Sequence, residues 1–114
     1  MAATEALRGR LADLQRELRG EKIRWVRPEN LHLTLEFFGE TAEERIPELG
    51  QALARAAAAA RAFALTIGAP GTFGGARHPR VLWLGIESAG LKVLRDSVAA
   101  ALREVGREPE ARDF

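Results

Sequence analysis

His32 and Thr34 are the two residues whose types and spacing suit acid/base chemistry on a small anion. They stand in the run Leu31-His32-Leu33-Thr34-Leu35-Glu36-Phe37, with apolar side chains at the odd positions and polar ones at the even. Alternation at period two predicts a half-buried strand over residues 31–37, with His32, Thr34 and Glu36 on its open face. Side chains two residues apart on a strand leave the backbone roughly 6.5–7 Å from each other and point the same way, so both groups could touch one anion. An imidazole holds either protonation state near neutral pH. Taken alone, His-x-Thr is more often a histidine on a solvated sheet face, and threonine is a common strand former on any exposed face. Glu36 either orients His32 or is a solvated carboxylate.

The composition bounds what surrounds this stretch. A chain of 114 residues with 46% hydrophobic and 29% charged residues is expected to be a single globular domain, 1–114. A net charge of +1 gives no broad polyanion-binding field, so any nucleic-acid contact is local. Without cysteine there is neither a disulfide framework nor a thiolate metal site, and two histidines alone do not build a zinc centre. The N-terminus lacks an apolar leader core and no apolar run approaches the roughly 20 residues of a membrane span. A cytoplasmic protein is the expectation.

The elements that must position the His-bearing strand follow from local pattern. Residues 4–19 carry Leu7, Leu11, Leu14 and Leu18 at helical spacing, with Gly20 as the terminating residue. A short strand is expected over 22–26, followed by an extended turn at Pro28. Thr41-Ala42-Glu43-Glu44 has the form of a capping box, but Pro47 would fall inside the helix it opens. Either a brief turn spans 42–46 and the helix starts with Pro47 at its first position, or one helix starts at Ala42 and kinks. The first is preferred, since proline is welcome there. The alanines at 56–60 suggest a narrow helix face lying close to a sheet. Residues 62–68 alternate as a strand, residues 68–75 form a glycine-rich loop, and 80–86 read as an interior strand covered on both sides. Ser88 caps a last helix, which Gly106 ends. The order predicts an α+β fold with a mostly antiparallel sheet and helices packed on one face.

Seen with its flanks, Trp25-Val26-Arg27-Pro28-Glu29-Asn30-Leu31-His32-Leu33-Thr34-Leu35-Glu36-Phe37-Phe38-Gly39-Glu40 resembles the first signature of the two-histidine (2H) phosphoesterases. It is most similar to their bacterial and archaeal RNA 2′,3′-cyclic phosphodiesterases, also called 2′-5′ RNA ligases. Trp25, Pro28, Asn30, Phe38 and Gly39 stand where that family has them. The resemblance implies a bilobal fold in which two His-x-Thr strands meet at one cleft. One histidine is then the general base and the other the general acid, threonine hydroxyls hold the phosphate oxygens, and no cofactor or metal is required. His32 and Thr34 would be catalytic. Phe73, in a loop that borders the family's cleft, with Arg24 and Arg80, are candidate substrate-binding residues, and RNA with a 2′,3′-cyclic phosphate end is the implied partner.

The chain departs from the family pattern at both ends. The opening strand Arg-Leu-Phe-Val-Ala is not found before the first helix. Glu110-Ala111-Arg112-Asp113-Phe114 resembles the lead-in to the second motif, Pro-His-x-Thr-Leu, which does not follow. His78, in Arg77-His78-Pro79-Arg80, has no threonine two residues on and is a loop residue rather than the second catalytic histidine. Three readings follow: a cyclic phosphodiesterase represented by part of its domain, a non-catalytic domain binding nucleotides or a partner, and a site completed by a homodimer through an exposed sheet edge.

Overall fold

The computed structural model describes residues 2–17, 22–74 and 77–111. The chain divides into two compact units, residues 1–37 and 38–114. In the first, helix α1 spans Glu5–Glu17. Thr4 opens it, its Oγ1 accepting from the Leu7 amide at 3.3 Å, which satisfies one of the donors a helix start leaves over. Residues 18–20, with the expected stop at Gly20, lie outside the described residues. α1 packs against a single 3-10 turn, Pro28–Asn30. Gln15 Nε2 donates to the Val26 carbonyl at 2.9 Å, tying the helix to the segment that leads into that turn.

The two strands expected at 22–26 and 31–37 do not form as strands. Residues 23–27 carry no regular structure, and the His32 segment makes one isolated antiparallel bridge, Ala2 to His32, with the Ala3 amide donating to Leu31 at 3.2 Å. The physical reason is pairing. Alternation fixes which way side chains point, but a regular strand is assigned only where a neighbouring strand takes its backbone groups in succession, and among the described residues Ala2 is the one position bridged to this segment.

In the second unit, a 3-10 turn over Glu43–Arg45 runs into α2, Ile46–Ala59, with Pro47 in its first turn. This is the turn-then-helix alternative, in which proline loses no hydrogen bond. α3 spans Ala89–Glu104 and packs on α2. Leu49, Ala52 and Ala56 of α2 are buried against Val98, Ala101 and Leu102 of α3, with Phe38, Leu53, Leu94 and Val105 around them. Of the alanines at 56–60 only Ala56 is buried, and with Ala52 it serves a helix–helix seam instead of a sheet. Small residues allow the two backbones to approach closely. Arg45 reaches across the end of this pair and donates to the Val105 carbonyl, placing a cation at the negative end of the α3 dipole.

Both ends of α3 are closed as their residue types dictate. Ser88 Oγ accepts from the Leu91 amide at 3.2 Å and donates to the Ala64 carbonyl at 2.8 Å, so one hydroxyl caps the helix and holds the segment before the sheet. Ser88→Ala is expected to destabilise the protein by about 1–2 kcal/mol, read as a lower urea midpoint. At the other end Gly106 has φ +73°. Its amide donates to the Arg103 carbonyl and that of Arg107 to the Leu102 carbonyl, the pair of hydrogen bonds around a glycine that closes many helices.

Among the described residues the sheet is one antiparallel hairpin, β1 (Thr66–Phe73) with β2 (Val81–Glu87). Among the described residues the α+β class holds, with three α-helices and two strands. The stretch read as a glycine-rich loop is largely strand: residues 68–73 belong to β1, and the turn begins at Gly74, whose φ of +100° needs glycine. The ladder is interrupted between Ile67 and Pro70; such a bulge and an outward-facing proline are how an edge strand accommodates Gly68-Ala69-Pro70. Among the described residues β2 does not lie in the interior of a sheet. Val81 and Leu82 are half-exposed and β1 is its one partner among the described residues.

Candidate active site

The His32 side chain is placed by the backbone two residues earlier. The 3-10 turn closes with the Leu31 amide donating to Pro28 at 3.3 Å, and this aims the Asn30 carbonyl at His32 Nδ1, 2.7 Å away. A carbonyl only accepts, so Nδ1 carries the hydrogen and the neutral ring keeps its lone pair on Nε2. His32 is exposed while Leu31 and Leu33 are half-buried. Nε2 is therefore the proton-accepting atom offered to solvent or to a substrate.

Thr34 is exposed in the same alternation, with Leu33 and Leu35 turned inward. The alternation ends at a bend at Leu35. Beyond it Glu36 is half-buried and Phe37 is 69% exposed, the reverse of the expected strand faces. Glu36 is thus not on the open side with His32 and Thr34. Among the described residues no group of three or more His, Cys, Asp or Glu side chains comes together to hold a metal.

The remaining candidates fall into two groups. Arg24, in the first unit, is exposed in the segment before the 3-10 turn. Next to it Trp25 is half-buried and lines an open groove with Ala12, Gln15 and Arg16. Phe73 and Arg80 sit together in the second unit, at the tip of the hairpin, where the Arg80 amide donates to the Phe73 carbonyl at 2.7 Å. His78 lies in the exposed turn between them. One contributor is announced by no residue type, the Asn30 carbonyl. In the hairpin the indole of Trp83 lies across Gly71, a glycine directly opposite a tryptophan on paired strands.

Residues 2–83 match the LigT like Phosphoesterase family model, and the chain belongs to that family. Among its curated relatives, the RNA 2′,3′-cyclic phosphodiesterase of Aeropyrum pernix is 34% identical over 110 residues, covering 93% of this chain and 61% of that protein. The protein of the same name from Methanothermobacter thermautotrophicus is 31% identical over 113 residues, 96% of this chain and 61% of the relative. That of Geobacillus stearothermophilus is 36% identical over 91 residues, 79% of this chain and 29% of the relative. The chain thus spans at most about three fifths of the length of these relatives. No helix among the described residues is long and apolar enough to cross a membrane.

Proposed function

We propose that this chain carries the first half of an RNA 2′,3′-cyclic phosphodiesterase site, with His32 as an acid/base catalyst and Thr34 as a phosphate-holding group. The observation that carries this reading is the Asn30–His32 hydrogen bond. It leaves Nε2 as the one ring nitrogen able to take a proton, on an exposed side chain within the family's first motif. In the reaction a water oxygen bonds to phosphorus in line with the departing O3′. The base removes the water's proton, the P–O3′ bond breaks, and O3′ takes a proton from an acid, leaving a 2′-phosphate and a free 3′-hydroxyl. Both ends of the displacement move a proton, so a second group partners His32. The Thr34 hydroxyl hydrogen-bonds a non-bridging oxygen as charge shifts onto it. Ligation to a 2′-5′ linkage is the same chemistry with a ribose hydroxyl as the arriving or leaving group.

The test is ring opening of an oligoribonucleotide ending in a 2′,3′-cyclic phosphate, with the product resolved as a 2′-phosphate. Thr34→Ala is expected to slow turnover about 10²-fold with little change in thermal stability, because the side chain is exposed. A 3′-phosphate product, or full activity in Thr34→Ala, overturns the assignment.

A second reading concerns the partner of His32. β2 offers a seven-residue outer edge without proline, lysine or an internal acid, the kind of strand that pairs with another chain. A homodimer formed there would bring two copies of the motif into one particle. Sedimentation of a single monomeric species at assay concentration, with ring opening intact, removes this reading.

A further inference from the structure

The two outer edges of the hairpin differ. β1 carries Pro70, which has no amide hydrogen to offer, and its ladder is irregular between Ile67 and Pro70. Both features stop a strand from being extended by another. β2 has neither. From Val81 to Ile86 it is an unbroken run of Val, Leu, Trp, Leu, Gly and Ile, and β1 is its one partner among the described residues. Such an edge presents a row of backbone donors and acceptors to a further strand.

The faces of β2 decide what kind of strand fits. The register sets Trp83 opposite Gly71 and Val81 opposite Phe73, so these lie on one face, with Leu82, Leu84 and Ile86 on the other. Val81 is 50% exposed and Leu82 49%. A matching strand is therefore apolar on both of its sides, and β2 is itself such a strand. Paired antiparallel about Leu84, two copies engage all seven residues of β2. Leu84 then meets the partner's Leu84 and Leu82 meets the partner's Ile86, while Trp83 meets the partner's Gly85, a position with no side chain to obstruct the ring. A slip of one residue would set each face against its opposite, and a slip of two leaves fewer residues paired.

Charge selects the direction. β2 follows a basic turn with Arg77, His78 and Arg80, and it ends at Glu87. Antiparallel pairing lays the acidic end of each copy against the basic end of the other, whereas parallel pairing would align like with like. Neither Arg80 nor Glu87 forms an ion pair with another described residue.

We propose that β2 pairs with β2 of a second copy, antiparallel and centred on Leu84, joining two hairpins into one four-stranded sheet. Two strands alone are marginal in water, and added strands with an apolar face sustain the sheet. The inference rests on the homodimer reading above and gives that dimer its interface and register.

The test is made on the 114-residue chain without RNA, so it is independent of ring opening. Wild type is expected to sediment as a dimer. The sequence has no cysteine, so an introduced thiol can join only its own counterpart in the other copy. Leu84→Cys should form a disulfide dimer on mild oxidation, because directly opposite Cα atoms lie about 4.5–5.5 Å apart, within disulfide reach. Leu82→Cys places its thiol about 13 Å along the strand from its counterpart and should cross-link at least about ten-fold more slowly. Leu84→Lys, which sets two ammonium groups together at the two-fold axis, should give a monomer. Thr72→Lys, an exposed change on β1, should leave the dimer intact. A wild-type chain that sediments as a monomer overturns the proposal and removes the homodimer reading with it. A dimer in which Leu82→Cys cross-links as fast as Leu84→Cys keeps that reading and overturns the register proposed here.

Discussion

On the proposed reading, replacing His32 by alanine should lower the rate of cyclic-phosphate opening by about 10²–10⁴-fold, the range over which a positioned acid or base contributes. The expectation follows from what the side chain does and does not hold. It is exposed, and the hydrogen bond found for it is the one to Asn30, so its loss removes a proton-transfer group and little packing. Thermal stability should change by no more than about 0.5 kcal/mol. Two amide replacements refine the test. In His32→Asn the side-chain amide can still donate toward the Asn30 carbonyl but offers no basic nitrogen. In His32→Gln an amide reaches nearer the Nε2 position. Both should be as inactive as alanine. Retention of more than a tenth of the wild-type rate by either would show that His32 orients the substrate and exchanges no proton.

The largest effect on stability is expected from Leu102→Ala, at about 2–5 kcal/mol. Leu102 is fully buried in the α2–α3 seam, among Leu49, Ala52, Ala56, Val98 and Ala101. Three of those five neighbours are alanines, which have no rotamer with which to fill the space left behind. The helices themselves are held at their ends by Arg45, which bonds the Val105 carbonyl, and so have limited freedom to close the gap. The buried cluster is small, and a loss of this size is a large fraction of the 5–15 kcal/mol typical of a domain. Val93→Ala serves as the control. Val93 lies on α3 but is 65% exposed, and its truncation should cost less than about 0.5 kcal/mol. Urea midpoints at unchanged slope measure both. A loss below about 1 kcal/mol for Leu102→Ala would mean that the seam collapses around the missing atoms.

The helices and their ends were legible because each depends on chemistry within a few residues. Pro47 in a first turn, Ser88 three residues before an amide it accepts from, and Gly106 at a left-handed angle are all local decisions. The strands were less legible because they depend on partners. Residues 31–37 have the alternation of a strand, yet among the described residues Ala2 is the one bridge partner, and the bend at Leu35 turns Glu36 and Phe37 to the sides opposite those expected. The glycine-rich stretch failed in the other direction. Glycine permits many conformations, so its density suggested a loop, whereas Gly71 is a strand position emptied to seat Trp83. For the candidate site, the identities of His32 and Thr34 were carried by the motif and its flanks. What the motif did not show was which ring nitrogen is available, since that is set by a carbonyl.

That carbonyl has a consequence for how the site can be dissected. Many catalytic histidines lean on a carboxylate, and deleting the carboxylate reveals the dependence. Here the leaning post is main chain. Substitution at Asn30 changes the side chain and leaves the oxygen in place, so an alanine scan through residues 28–31 would pass over the group that fixes the His32 tautomer. Only editing the backbone itself would expose it, for example an ester in place of the amide following Asn30, whose carbonyl is a weaker acceptor. The arrangement is thus sheltered from ordinary point mutation, and the turn that aims it can vary in side chains so long as its path is kept.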